Sequence, residues 1–114
     1  MNFLHLPENR IMIRHIVFFR ISDKAGDVNR DELLVQVKAE LEKLPALIPE
    51  ILTFEVGINC AGYQGIADLS LISGFSSFES LSAYQKHPAH MSFVDWNRNR
   101  CPKVAVVDYE FGQD

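Results

Sequence analysis

Two cysteines, one tryptophan, no cluster of like charges and no long apolar run: what is scarce in this chain of 114 residues narrows it before anything else does. Cys60 and Cys101 match no zinc or dithiol spacing, so both are expected as reduced thiols. A formal net charge of −4 spread over mixed acids and bases, without a Lys/Arg stripe, excludes a surface that tracks a phosphate backbone, and no nucleic acid partner is expected. Nothing approaches the roughly 20 apolar residues needed to cross a bilayer, so no membrane partner is expected either. Residues 1 to 11 carry one basic residue near their end, a proline at position 7 and no apolar core of the kind a signal peptide needs, which points to the cytoplasm. A glycine-rich phosphate loop is missing, as are repeats, low-complexity tracts and interdomain linkers. What remains is 47% hydrophobic and 23% charged, the makeup of one globular domain.

The hydrophobic period changes along the chain in a definite order. Ile13 to Ile21 alternates, with His15, Val17, Phe19 and Ile21 on one side and Arg14, Ile16, Phe18 and Arg20 on the other, the period of a strand. Asn29 then precedes a helical pattern in which Glu32 completes a capping box and Leu34, Val37, Leu41 and Leu44 form one apolar stripe, with Pro45 as its stop. Ile51 to Asn59 reads as a second strand with Leu52, Phe54, Val56 and Ile58 on one face, and Asp68 to Phe75 as a third. Ser76 or Ser77 caps a further helix whose inner face includes Phe78, Leu81 and Tyr84. Pro88 forces a break at His87, a second helical segment runs to about Asn97, and Val104 to Phe111 closes the chain as a fourth strand.

The order β-α-β-β-α-β is that of an α+β, ferredoxin-like unit, in which helices cover one face of a four-stranded antiparallel sheet. The other face is then bare, and strands one and four are apolar on both sides: Ile16 and Phe18 against Val17 and Phe19, Ala105 and Val107 against Val104 and Val106. A second copy of the chain is the expected cover, giving a homodimer with two sheets face to face in a dimeric α/β barrel. Burying about 600 Å² of apolar surface per subunit would contribute on the order of 15 kcal/mol before association costs.

Chemistry concentrates in Ala83-Tyr84-Gln85-Lys86-His87-Pro88-Ala89-His90, which sets a phenol and two imidazoles around the proline break. On one unbroken helix Tyr84 and His90 would face different ways; the turn at Pro88 lets the second segment aim His90 where Tyr84 points. Near the N-terminal end of its helix His90 is expected to stay neutral at pH 7 and to act as a base, with the Tyr84 hydroxyl as hydrogen-bond donor to an oxygen that gains charge. The plainer alternative has His87 capping the helix and Tyr84 and His90 as satisfied filler. His15 either lines the same cavity or is a hydrogen-bonded core histidine. His-x-x-His across a proline break is no ligand spacing and no acid sits beside it in sequence, so no metal and no cofactor are expected. Trp96, Phe93 and Met91 are expected to pack against the sheet or a partner rather than a flavin or haem.

From Met12 onward the chain resembles the stress-responsive A/B barrel domain (Dabb) family of dimeric α+β barrels. The residues that carry the resemblance are Met12-Ile13-Arg14-His15-Ile16-Val17, Ile48-Pro49, Phe54-Glu55-Val56-Gly57, Asp68-Leu69, Phe75, the Tyr84 to His90 run and Val107-Asp108-Tyr109. The resemblance implies residues 12–114 as a single barrel domain, residues 1–11 as a loose extension with Met12 as a candidate translation start, and a homodimer. It also implies, through the plant polyketide cyclase of that family, that Tyr84 and His90 promote an aldol-type condensation, with His15, His87 and Leu69 around the substrate. Leu69 stands where that cyclase has a further histidine, so its substrate does not carry over. Three readings stay open: a cofactor-free cyclase or lyase acting on a small carbonyl or polyketide-like metabolite, a non-catalytic stress-related structural or ligand-binding dimer, and a cofactor-free monooxygenase or isomerase.

Overall fold

The computed structural model describes residues 11–61 and 66–112. Four strands, β1 (Ile11–Phe19), β2 (Thr53–Ile58), β3 (Leu69–Phe75) and β4 (Lys103–Gly112), form one antiparallel sheet in the order β2-β3-β1-β4. Between them run α1 (Arg30–Glu42), a short α2 (Leu44–Leu47), α3 (Phe78–Lys86) and α4 (Pro88–Asn97). This is the expected ferredoxin-like arrangement, and within one chain the sheet stays open. The expectation for the N-terminal extension lies outside the described residues except at Ile11, which already pairs with Gly112 in the β1–β4 ladder.

The helices α1, α3 and α4 start where their capping chemistry dictates. The Asn29 side chain accepts from the Glu32 amide at the head of α1, and Leu33, Leu34, Val37 and Leu41 carry its buried stripe. Pro45, expected to end that helix, instead sits in the first turn of α2, where its missing N–H leaves no helical bond unmade. Ser77, not Ser76, caps α3 by accepting from the Ser80 amide. Phe78, expected on the inner face, is exposed at the first position of that helix, and Leu52, expected in β2, is exposed just before the strand starts.

The core lies between the helices and one sheet face: Ile13, Val17 and Phe19 of β1, Leu69, Leu71 and Phe75 of β3 and Val56 of β2 meet Leu34, Val37, Leu41, Leu81, Tyr84 and Phe93. The second face has no cover. Ile16, Ile72 and Val107 stand side by side across it, with Phe18 and Tyr109 on neighbouring rows. Val107 is 51% exposed and Phe18 and Tyr109 38% each, so a contiguous apolar surface is open on this side. Its charged members among the described residues are Glu55 and Arg14, and the guanidinium of Arg14 lies 3.9 Å from the centre of the Phe111 ring.

The β1–β4 ladder departs from regular pairing at one point. Phe18 pairs with Ala105, but Phe19 pairs with Lys103, so Val104 is an extra residue bulged out of β4. A regular ladder would set Val104 opposite Phe19, on the face with Val106. The bulge sets Lys103 there instead.

Candidate active site

Proline chemistry builds the centre of the site. His87, with φ −64° and ψ 137°, ends α3 and begins α4; the extended conformation that Pro88 imposes stops one helix and lets the next leave at a new angle. Its ring Nδ1 accepts from the Ala89 amide at 3.0 Å, so His87 is spent on capping. The consequence is a pairing no straight helix would allow: the Tyr84 and His90 rings lie 4.5 Å apart between centroids. On the sheet side, His15 from β1 stands 6.1 Å from Tyr84 and Phe75 5.0 Å from it, both between ring centroids.

Tyr84, His90 and His15 line a cavity of about 580 Å³ between α3, α4 and the sheet. Val17, Phe19, Leu71, Phe93 and Val106 make much of its wall apolar, while His15, Tyr84, His90 and Lys103 bring polar atoms to it. Asn97 closes its far end by donating from Nδ2 to the Cys101 carbonyl (2.7 Å) and accepting the Cys101 amide on Oδ1 (3.1 Å), which returns the chain into β4. Of the residues singled out by sequence, Tyr84, His90 and His15 are thus brought together. Leu69, 2% exposed, lines a shallower groove with Phe18, Gly57 and Ile58 instead, and neither it nor His87 is among the cavity residues.

The protonation pattern is set by hydrogen bonds. His90 Nδ1 lies 3.0 Å from the Gln85 carbonyl oxygen, which can only accept; the proton therefore sits on Nδ1 and the lone pair on Nε2. Removal from water pushes the His90 imidazole below its usual range, and His15 and Lys103 push the same way through charge, against the opposing bond to Gln85. The ring is a neutral base at pH 7. His15 is likewise held through Nδ1, which lies 2.5 Å from Oδ1 of Asp108, a carboxylate on β4 directly opposite in register. No acid neighbours the histidines in sequence because this one is 93 positions away.

Burial raises the Tyr84 phenol well above its ordinary value, so the hydroxyl keeps its proton and acts as a donor. Among the described residues it has no hydrogen-bond partner, and yet no buried side-chain nitrogen or oxygen is left without one. Tyr84 is 1% exposed and is among the residues that line the cavity. Among the described residues no group of three His, Cys, Asp or Glu could hold a metal ion. None of the described helices is long and apolar enough to cross a membrane. Cys60 and Cys101 are free thiols, the first exposed and the second buried.

A four-stranded antiparallel sheet covered by helices on one side places the chain among ferredoxin-like α+β proteins. The sequence model of the stress responsive A/B barrel domain matches residues 13–111, and the chain belongs to that Dabb family. An uncharacterized protein of Streptomyces coelicolor is 33% identical over 103 residues, 88% of this chain and all of the relative. A protein of unknown function from Thermobifida fusca, described as dimeric and ferredoxin-like, is 29% identical with a TM-score of 0.69, over 95% of this chain and 96% of its own. The hydroxynitrile lyase of Passiflora edulis shares the fold at a TM-score of 0.73 and 20% identity, over 90% and 95% of the two chains.

Proposed function

We propose that the protein is a homodimeric, cofactor-free enzyme that moves a proton on a small carbonyl compound held in the cavity. His90 Nε2 takes the proton from the carbon next to the carbonyl, and the Tyr84 hydroxyl donates a hydrogen bond to the oxygen that becomes an enolate. The enolate carbon can then attack a second carbonyl, as a cyclase requires, or expel a leaving group, as a lyase requires; the proton returns from His90 at the end. His15, steadied by Asp108, presents a second Nε2 to the same space.

The observation that carries this reading is the buried, protonated Tyr84 hydroxyl at the cavity wall, beside His90 and without a hydrogen-bond partner among the described residues, since a tyrosine kept for packing alone satisfies its oxygen within the fold. An unfilled volume of about 580 Å³ likewise argues against a purely structural dimer. Occurrence of a lyase on this scaffold in Passiflora edulis is in keeping with it. The dimer is supported by the open apolar face around Ile16 and Val107 and by the relative described as dimeric. The test is exchange of the methyl protons of acetophenone for deuterons in deuterated buffer, followed by NMR. The wild-type chain is expected to accelerate exchange at the methyl group, Tyr84→Phe to slow it by at least tenfold and His90→Gln to abolish it; equal rates for all three overturn the reading.

A further inference from the structure

We propose that Lys103 is an anion anchor and that the cavity therefore takes a small organic acid, with the carboxylate at Lys103, an apolar body along the wall and the reacting carbonyl at Tyr84 and His90. This inference rests on the reading of the cavity as a substrate site and names the class of substrate.

The bulge in β4 decides where Lys103 points. Without Val104 looped out of the ladder, alternation would turn Lys103 to the opposite face of the sheet, away from the helices. With it, Lys103 stands opposite Phe19 and joins the cavity wall. A bulge that costs a ladder position and replaces a valine by a lysine over an apolar cavity is a device for aiming a charge.

The charge so placed is unspent. Three charged residues line the cavity: Asp95, Arg98 and Lys103. Arg98 and Asp95 neutralise each other at 2.8 Å, whereas Lys103 forms no ion pair among the described residues. Asp108, behind the wall, is engaged by His15, so Lys103 beside Val106 and Phe19 is the lining charge without an ion-pair partner among the described residues, the pattern that receives an amphiphile with an anionic head. The ammonium is near enough for its charge to be felt at His90, so head group and reacting carbon would sit in one small molecule. An oxo acid meets all of these conditions.

Hexanoate and hexanamide, equal in shape and different in charge, are the probes. Binding is measured by titration calorimetry and located by the NMR signals of Tyr84 and His90. The wild-type chain is expected to bind the acid about fivefold tighter than the amide at low ionic strength, a preference that about 0.5 M salt erases. Lys103→Gln is expected to remove the preference, chiefly by weakening acid binding, and Lys103→Glu to reverse it; the residue is exposed on an edge strand, so both variants fold. Equal binding of acid and amide by the wild-type chain, or a preference that survives in Lys103→Gln, overturns the anchor and leaves the catalytic reading standing. Failure of both probes to shift Tyr84 and His90 overturns the substrate cavity itself and the anchor with it.

Discussion

His15 and Asp108 face each other across the β1–β4 ladder with Nδ1 and Oδ1 2.5 Å apart, so an interior imidazole is fixed in tautomer and orientation by the edge strand of the sheet. Asp108→Asn exchanges the carboxylate for an amide and loosens that hold. The variant is expected to fold normally by circular dichroism and to lose about 1 kcal/mol in urea denaturation, since the Asp108 side chain is 31% exposed and water screens the pair. Nitrogen shifts of His15 would report the loss of that hold directly.

Tyr84 offers a sharper separation of chemistry from packing. Because its hydroxyl bonds to nothing in the described protein, Tyr84→Phe should change stability by less than about 0.5 kcal/mol while impairing exchange; a satisfied buried hydroxyl would cost about 1 kcal/mol or more on removal. Tyr84→Ala, by contrast, empties ring volume from the core and should cost about 3 to 5 kcal/mol. Thermal or urea denaturation of the two variants checks both figures.

The pH dependence is governed by His90. Its folded-state proton affinity lies below the ordinary histidine value of about 6.5, so at low pH the unfolded chain binds a proton that the folded chain resists. Stability from this group is therefore complete above about pH 6.5 and is lost as pH falls through the lower, folded value. Catalysis runs in the same direction, because only the neutral ring accepts a proton. A wild-type exchange rate that climbs with pH and levels off below about pH 6.5, together with a flatter stability profile for His90→Gln, is the expected pair of results.

The open sheet face predicts assembly. Ile16 and Val107 stand opposite each other at its centre, and Val107→Glu sets a carboxylate where a second sheet would close. Sedimentation should show a dimer for the wild-type chain and a monomer for this variant.

Cysteine accessibility gives an independent check on the fold. Cys101 is wholly buried, and burial, with Asp68 adding, pushes its thiol up to about 12. Cys60 is exposed. A disulfide exchange reagent at about pH 8 should titrate one thiol per native chain and two after denaturation.

Much of the frame was legible because it rests on short-range rules. Asn29 and Glu32 mark the head of α1, and the proline at 88 fixes the joint between α3 and α4, as local sterics and capping demand. Those same rules placed Tyr84 beside His90. What they could not supply is anything set by pairing between distant segments. Asp108 becomes a partner of His15 only through the register of β4 on β1, and Lys103 reaches the cavity only through a bulge that no residue in the Pro102–Ala105 stretch announces. Leu69 and His87 show the reverse: a motif position fixes proximity in the chain, while the pairing of β3 with its neighbours and a helix cap decide what each side chain is used for.

β4 is a margin, held within one chain chiefly by β1 and accessible along almost its whole length, and it also supplies Lys103, Val106 and Asp108 to the interior. Whatever braces its outer side braces the reacting groups too. On the proposed reading, dilution costs turnover per molecule before it costs folding, and the amount of protein in the cell becomes a control on that chemistry.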